Sequence, residues 1–282
     1  MKKIIYRLSI ILLSIFSFYY TNKTIEFLKD KDPIMQEIKN TKDKYTIKYL
    51  DATIIGNNII SGKNGKTINY TESYNKMKKY GTYNETLTVL KETTPKISIN
   101  NNYDKYIVGG NKENKNISLV FTINKDTDPT NIISILNNKQ VPGTFFIDGT
   151  FIENNIDIIK SMRNHELELL SYDNKYKSSY FKTSLYYLEN LSQNKCKYCY
   201  TRYDNDKLLK LCSNNNLHTI KPTLYLNNNI YTNIKNNLSN SIIISIEINK
   251  YTEKELSTSI DYIRGKGYKL VTLDKLINEN YN

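Results

Sequence analysis

Short apolar runs alternate with amphipathic segments along residues 111–282, and this alternation is the strongest pattern in the chain. The runs ISLVFTI, VPGTFFI and SIIISIEI are apolar at most positions, which is typical of strands buried on both faces. Between such runs, IENNIDIIKSM and TEKELSTSIDYIRGKG space their apolar residues three and four apart, as helices do. The pattern predicts an α/β domain of parallel strands joined by right-handed helical crossovers. Binding residues then belong at the carboxyl ends of the strands.

The first 21 residues follow a different pattern. Two lysines precede an apolar stretch that runs from Ile4 to about Tyr20 and is broken by Arg7 and by small hydroxyl residues. This is typical of a signal segment, and the bulky residues from Ser17 to Thr21 favour an uncleaved transmembrane anchor over a removable signal peptide. The basic residues predict that the N-terminus stays inside the cell and that the rest of the chain lies outside. Cleavage would instead give a secreted protein.

Two further segments separate this anchor from the alternating region. Residues 22–44 carry a weak helical pattern interrupted by Pro33, and we interpret them as a stalk. Residues 45–110 contain β-like runs such as ATII and NNII, a turn signal in SGKNG and a helical stretch, SYNKMKKYG. They predict a small α+β module. The predicted divisions are therefore 1–21, 22–44, 45–110 and 111–282.

Charge and composition add little to this picture. The chain carries 40 Lys and Arg against 28 Asp and Glu, a formal net charge of +12. Such an excess steers an anionic partner when the charges cluster on one face, and here they are scattered. The 25 tyrosines are scattered too, in a chain rich in Lys, Asn and Ile. Because no recognition motif is present either, we expect no nucleic-acid partner.

Three cysteines bear on the predicted location. Outside the cytosol thiols can be oxidised, so Cys196, Cys199 and Cys212 are candidates for one disulfide. Cys196 and Cys199 form a C-x-x-C motif without a second such pair, and their strand-like context puts them on opposite faces. A bridge between Cys199 and Cys212 is favoured among the pairings, with free thiols as the equal alternative.

Four segments together resemble a known family. ISLVFTI, VPGTFFIDG, RNHELELLSYDNKY and IRGKGYKLVTLDKLI are similar in order and spacing to the polysaccharide deacetylase (NodB-homology) domain, over about Ile117 to Ile277. The resemblance implies a distorted (β/α) barrel that removes acetyl groups from amino sugars of chitin-like or peptidoglycan chains with a divalent metal. The segment from SGKNG through SYNKM also resembles the small N-terminal module of some membrane-anchored members.

The resemblance also implies where the first catalytic motif should lie. The family ends its first strand with an aspartate pair, of which one carboxylate acts as base and the other binds the metal. Aligned on the hydrophobic strand, these positions fall on Thr122 and Ile123. Aligned on the start of the next helix, they fall on Asn124 and Lys125. Neither alignment leaves a carboxylate, so we expect no catalytic residue to be retained.

The other family positions are replaced as well. The two histidines that bind the metal, four residues apart, correspond to Leu170 and Asn174. The histidine that acts as general acid corresponds to Ile246, and the surviving His165 matches a histidine that is not expected to bind metal. We therefore expect no cofactor. Zinc or another divalent metal is implied only for a divergent enzyme with a new site, whose candidate ligands are Asp126, Asp128, Asp148, Asp173, Asn174 and Glu247.

Four residues at predicted strand ends are candidates for binding a glycan. Tyr172 and Tyr203 offer aromatic faces on which a sugar ring can stack. Asn174 and Arg202 offer polar groups beside them. Arg202 lies in YTRY, which resembles the arginine-bearing motif of the family without its prolines.

Three functions follow from these observations. The leading hypothesis is a membrane-anchored, extracytoplasmic pseudoenzyme that binds cell-wall polysaccharide or peptidoglycan. The first alternative is a divergent but active carbohydrate deacetylase, which predicts metal binding and acetate release. The second is a structural or protein-interaction scaffold of the envelope, in which the module at residues 45–110 contacts the partner. The sequence identifies neither the sugar nor the oligomeric state.

Overall fold

The computed structural model describes residues 2–170 and 178–280. Its helices are α1 (Lys2–Lys31), α2 (Pro33–Asn40), α3 (Lys42–Tyr45), α4 (Tyr70–Lys78), α5 (Thr130–Asn138), α6 (Gly149–Asn154), α7 (Ile156–Ser161), α8 (Ser178–Ser192), α9 (Asp206–Ser213), α10 (Ile230–Asn237), α11 (Lys250–Gly265) and α12 (Leu273–Ile277). Its strands are β1 (Thr53–Ile55), β2 (Asn58–Ile60), β3 (Gly65–Ile68), β4 (Leu90–Thr93), β5 (Tyr106–Gly109), β6 (Asn116–Ile123), β7 (Thr144–Asp148), β8 (Glu166–Leu170), β9 (Tyr198–Tyr200), β10 (His218–Ile220), β11 (Leu224–Leu226), β12 (Ile242–Glu247) and β13 (Lys269–Val271).

These elements form two compact units. The first consists of the residues up to Tyr49 together with Gly65–Thr93. In it, β3 and β4 pair antiparallel, with Ile68 opposite Leu90. Its buried apolar core is formed by Ile34, Ile38, Ile68 and Met77. The second unit consists of Leu50–Asn64 together with Thr94–Asn280.

Part of the predicted stalk at residues 22–44 packs within the first unit. Asp32 caps α2 by accepting a hydrogen bond from the backbone N–H of Ile34 at 2.9 Å. It also accepts from the Tyr74 hydroxyl at 2.9 Å and from the Lys78 ammonium at 2.6 Å. The Lys78 hydrogen bond contributes most to lowering the pKa of Asp32. Pro33 occupies the first turn of α2, where its missing N–H costs no hydrogen bond, so it starts a helix instead of interrupting one.

The described part of the predicted anchor, residues 2–21, falls within α1, which continues as one helix of 30 residues to Lys31. None of the helices within residues 2–170 and 178–280 is both long and apolar enough to span a membrane.

One mixed sheet dominates the second unit. Its parallel centre has the order β12, β6, β7, β8, and the register places Glu247 opposite Thr122 and Thr122 opposite Phe146. Successive residues of these strands point to opposite faces. One face packs with the helices and carries residues such as Phe121, and the other, which we call the inner face, carries Val120 and Phe146. The predicted α/β class with parallel central strands is confirmed.

The inner face is bounded by β8 on one side and by β9 on the other. Within the described ranges no β-ladder joins these two strands, although β9 pairs with β10 and β10 with β5. Instead, the carboxylate of Glu168 on β8 accepts hydrogen bonds from the backbone N–H groups of Lys197 at 2.8 Å and Tyr198 at 3.0 Å. A side chain therefore bridges the seam at which strand pairing would close a barrel.

Strands β1, β2 and β5 belong to this sheet, which differs from the predicted boundary at residue 110. Both β2 and β10 pair with β5 in parallel, with Ile107 opposite Ile59 and Ile220. The pairing of β5 with β10 joins segments that are more than a hundred residues apart in the sequence. Local alternation of apolar and polar residues carries no information on such distant partners.

Cys199 on β9 and Cys212 in α9 form a disulfide, with their Cα atoms 6.3 Å apart. This is the pairing that the sequence favoured. Cys196 is a buried free thiol, and burial raises its pKa.

Candidate functional site

The two alternative alignments of the family's aspartate pair fall at the end of β6 and in the following loop. Thr122 is buried on the inner face, and Ile123 packs between the sheet and the helices. Asn124 and Lys125 are exposed, and the Lys125 ammonium lies 3.8 Å from the carboxylate of Asp126. None of the four aligned side chains is a carboxylate, so none can act as the base or the metal ligand that the family uses.

The remaining family positions that the structure describes are filled by buried aliphatic residues. Leu170, at the end of β8, and Ile246, near the end of β12, are both fully buried. Aliphatic side chains offer neither a metal ligand nor a proton. Asn174 and Tyr172, the other two predicted site residues of this region, lie outside the described residues.

A different group of side chains meets at the carboxyl ends of β9, β11 and β12. Arg202 follows β9, Tyr225 lies on β11, and Glu247 is the last residue of β12. The Cζ atom of Arg202 lies 3.4 Å from the centroid of the Tyr225 ring, and the Tyr225 hydroxyl donates a hydrogen bond to the Glu247 carboxylate. Burial, and then this hydrogen bond, raise the pKa of Tyr225, so the hydroxyl remains a donor at neutral pH.

Tyr203 extends this group towards solvent. Its side chain is 73% exposed, and the Cζ atom of Arg202 lies 5.7 Å from its ring centroid. The Thr201 hydroxyl donates to the backbone oxygen of Tyr203 at 2.6 Å, which fixes the turn after β9. We call Arg202, Tyr203, Tyr225 and Glu247 the strand-end site.

The strand-end site rests on a buried polar contact of the inner face. The hydroxyl groups of Tyr200 and Ser245 lie 2.7 Å apart, and the Tyr200 ring lies 5.3 Å from that of Phe146. Tyr225 pairs with Ser245 in the parallel ladder between β11 and β12. This packing positions the β11 and β12 parts of the site on regular strands, which makes their geometry rigid.

Two of the loop carboxylates that could form a new metal site, Asp128 and Asp148, accept hydrogen bonds from backbone N–H groups at the starts of α5 and α6. Asp128 accepts from the backbone N–H of Thr130 at 3.0 Å, and Asp148 accepts from that of Thr150 at 2.8 Å. The bonds to Thr130 lower the pKa of Asp128. Across residues 2–170 and 178–280, no three His, Cys, Asp or Glu side chains come together as a group able to hold a metal ion. Two further candidate ligands, Asp173 and Asn174, lie outside the described residues.

Both histidines lie at the opposite, amino-terminal ends of the strands. The Nδ1 atom of His165 accepts from the backbone N–H of Gly143 at 3.1 Å, and burial lowers the pKa of this histidine. The His218 ring stacks on Tyr103 with 3.9 Å between ring centroids. The contacts of His165 hold a turn, in line with the structural role expected from the sequence.

A cavity of about 320 Å³ also opens at this end, but its buried carboxylates are engaged in structure. Glu166 accepts from the Thr144 hydroxyl at 2.6 Å and from the backbone N–H of Asp274 at 3.1 Å. Glu168 bridges the seam to β9. Burial raises the pKa of both glutamates, and Glu166 raises that of Glu168 further. The carboxylates of Glu166 and Glu168 therefore serve to join strands and helix ends. The carboxyl ends of the strands are the better candidate for a binding site.

Tyr225 is not among the residues that the sequence predicts for the site, and Glu247 is predicted only as a candidate metal ligand. Tyr225 lies in the strand-like run PTLYL, where nothing distinguishes it from the many other tyrosines. The alternation of Leu224, Tyr225 and Leu226 is the only signal that this side chain leaves the face of its neighbours.

Comparison with known proteins supports the resemblance found in the sequence. Residues 109–229 match the model of the polysaccharide deacetylase family. The uncharacterized protein YlxY of Bacillus subtilis is 27% identical over 154 residues, which are 53% of this chain and 48% of that relative. The chain thus spans about half the length of the curated relative that it matches.

Several solved structures share the fold. BA3943 of Bacillus anthracis, described as a CE4 family pseudoenzyme, is 20% identical with a TM-score of 0.65 and covers 89% of this chain and 97% of its own. A family 4 carbohydrate esterase of the same organism is 22% identical with a TM-score of 0.52, covering 62% of this chain and 87% of its own. PdaA of Bacillus subtilis, also a family 4 carbohydrate esterase, is 17% identical with a TM-score of 0.53, covering 62% and 86%. Residues 109–229 are thus similar to the polysaccharide deacetylase family, and the chain has the α/β fold of family 4 carbohydrate esterases with additional N-terminal helices.

Proposed function

We propose that this protein binds a glycan of the cell envelope at the strand-end site and leaves its acetyl groups in place. The observation that carries the proposal is the contact of Arg202 with the ring of Tyr225, whose hydroxyl donates to Glu247. A glycan presents hydroxyl groups, amide groups and the apolar faces of its sugar rings. The site offers a donor, an acceptor and aromatic faces that match them.

Tyr203 supplies the surface on which a sugar ring can stack. Its ring is 73% exposed at the carboxyl ends of the strands, where α/β folds bind their ligands. A tyrosine has only two side-chain torsions to fix, so the entropy lost when it is ordered on a ligand is small. An exposed aromatic ring beside a held guanidinium therefore favours a sugar over a purely apolar ligand.

We propose no deacetylation because of the residues that align with the family's catalytic positions. Amide hydrolysis by the family's route needs an activated water, a stabilised oxyanion and a proton donor in one place. Thr122, Leu170 and Ile246 supply neither the base, the metal ligand nor the acid. BA3943, which has a similar fold, is described as a pseudoenzyme, and a variant of it as having restored activity. That description supports a non-catalytic role here.

The proposed place of action is outside the cytosol. The disulfide between Cys199 and Cys212 supports it, because disulfides persist in oxidising compartments and are rare in the cytosol. Envelope glycans are found on the same side of the membrane.

The proposal is tested by calorimetric titration of the full chain with soluble peptidoglycan glycan strands. We expect saturable binding that Tyr203→Ala weakens about tenfold, since a stacking contact contributes roughly 0.5–1.5 kcal/mol beyond its buried area. Tyr80 is the matched control, because it is 72% exposed and lies in the other unit. Tyr80→Ala should bind as the wild type does. Equal affinity of the wild type and Tyr203→Ala would reject the strand-end site, and acetate release would favour the divergent enzyme.

A further inference from the structure

Arg202 is a cation without an acidic partner among the described residues. By contrast, Lys221, which follows the neighbouring strand β10, is paired with Asp204 at 2.6 Å. Within the described ranges no carboxylate lies within ion-pair distance of the Arg202 guanidinium, and its Nε atom is buried without a hydrogen-bond partner. A buried donor that makes no hydrogen bond is rare in folded proteins, and each such group calls for an explanation.

Stacking on Tyr225 holds the guanidinium but does not satisfy it. The ring face attracts the positive charge, and the 3.4 Å separation from Cζ is typical of direct stacking. The N–H donors of the guanidinium point outward in its own plane. The Tyr225 ring lies above that plane, so it accepts no conventional hydrogen bond from them. The planar fork of donors matches the oxygens of a carboxylate or a phosphate, and a stacked arginine loses little entropy when it binds one.

Glu247 limits what kind of anion the site can accept. Its carboxylate accepts a hydrogen bond from the Tyr225 hydroxyl, which compensates part of its charge. Its other lone pairs can still accept hydrogen bonds from hydroxyl or amide N–H groups of a ligand. A ligand with an anionic group for Arg202 and neutral donors for Glu247 would satisfy both side chains. A densely charged polyanion would instead be repelled by the carboxylate.

We infer that the strand-end site selects glycans that carry an anionic substituent, a carboxylate or a phosphate, and that Arg202 binds it. This inference rests on the proposed glycan binding and adds the chemistry that distinguishes one glycan from another. Tyr225 acts as a positioning residue, because it holds Arg202 through its ring and Glu247 through its hydroxyl.

Three matched probes test the inference by calorimetry on the full chain. They are the neutral tetramer of N-acetylglucosamine, the tetrasaccharide in which alternate sugars carry the lactyl carboxylate of N-acetylmuramic acid, and the neutral tetramer with a phosphate on its terminal sugar. We expect at least one anionic probe to bind about tenfold more tightly than the neutral tetramer, which corresponds to about 1.4 kcal/mol. This advantage should shrink as salt is added. The anionic probe that gains affinity identifies which group the site takes.

Arginine variants separate this inference from glycan binding itself. Arg202→Gln should weaken binding of the anionic probe much more than binding of the neutral tetramer, so that the advantage of the anionic probe is lost. Arg202→Lys should recover only part of it, because lysine lacks the planar fork. Arg264, which donates to the backbone oxygen of Gln140 at 3.2 Å, is the control, and Arg264→Gln should not change the preference.

Two outcomes would overturn the inference in different ways. If all three probes bind equally and Tyr203→Ala weakens them all, glycan binding stands and anion selection is wrong. If no probe binds to a wild-type chain whose circular dichroism and thermal unfolding show a folded protein, both proposals are wrong.

Discussion

Glu168 on β8 accepts a hydrogen bond from the backbone N–H of Tyr198 on β9 at 3.0 Å. The same carboxylate oxygen accepts from Lys197 at 2.8 Å, so one side chain serves two backbone donors at a seam that strand pairing does not close. Glu168→Ala would leave both donors without a partner, and each unsatisfied buried group costs about 1–3 kcal/mol. We expect a loss of about 3 kcal/mol in the free energy of unfolding, measured by urea denaturation.

Glu168→Gln is the informative comparison for this prediction. A glutamine carbonyl can accept both hydrogen bonds, so the variant should lose less than about 1 kcal/mol. Glu113→Ala, at an exposed ion pair 3.9 Å from Lys63, should change stability by less than about 0.5 kcal/mol. Equal stability of Glu168→Ala and the wild type would show that the seam does not depend on this bridge.

His218 should make the protein sensitive to acid. Burial lowers its pKa to about 4, against an ordinary value of 6.5, so the unfolded chain binds a proton that the folded chain does not. The contribution of neutral His218 to the free energy of unfolding is complete above pH 6.5 and is lost as the pH falls towards 4. At about 1.4 kcal/mol per pKa unit, the loss amounts to about 3 kcal/mol.

His218→Phe tests this prediction because it keeps a ring to stack on Tyr103. The Nδ1 atom of His218 is buried without a hydrogen-bond partner, so phenylalanine loses no bond there. The difference in free energy of unfolding between the wild type and His218→Phe should therefore grow as the pH falls from 7 to 4. A difference that stays constant across this range would contradict the assignment.

The disulfide between Cys199 and Cys212 should contribute about 3 kcal/mol to the free energy of unfolding, as expected for cysteines 13 residues apart in the sequence. Urea unfolding with and without a reductant measures this contribution. In the double variant Cys199→Ala, Cys212→Ala the reductant should have no effect. A reductant effect that persists in the double variant would have to come from another group.

Removal of metal should leave glycan binding unchanged. The strand-end site uses a guanidinium, two aromatic rings and a carboxylate, and no three metal-ligating side chains gather within the described ranges. Titration of glycan strands into the chelator-treated chain should give the affinity of the untreated chain. A loss of affinity that zinc restores would require a metal at the site.

The elements that the sequence predicts best are those with strong local patterns. The buried run ISLVFTI became β6 and SIIISIEI became β12, because strands apolar on both faces can only lie in the centre of a covered sheet. The expected replacement of the family's site residues also comes from the sequence alone, since it depends only on residue types at aligned positions such as Thr122 and Leu170.

The features that could not be predicted from the sequence depend on contacts between distant segments. Arg202 and Tyr225 meet because β9 and β11 end close together, and neither residue has a local pattern that indicates the other. Pro33 suggested an interrupted stalk, yet burial of Ile34 and Ile38 against the rest of the first unit makes it the start of a helix. At Pro33 tertiary packing outweighed the local signal, and between Arg202 and Tyr225 there was no local signal to follow.

We expect the protein to hold an acetylated glycan without hydrolysing it. One incubation tests it: the full chain with zinc and acetylated peptidoglycan glycan strands, followed by separation of bound from free glycan and measurement of free amino groups in both fractions. We predict that glycan is retained by the wild type, retained much less by Tyr203→Ala, and unchanged in its free amino groups. Free amino groups that rise with time in the wild-type sample would contradict the account and identify the protein as an active deacetylase.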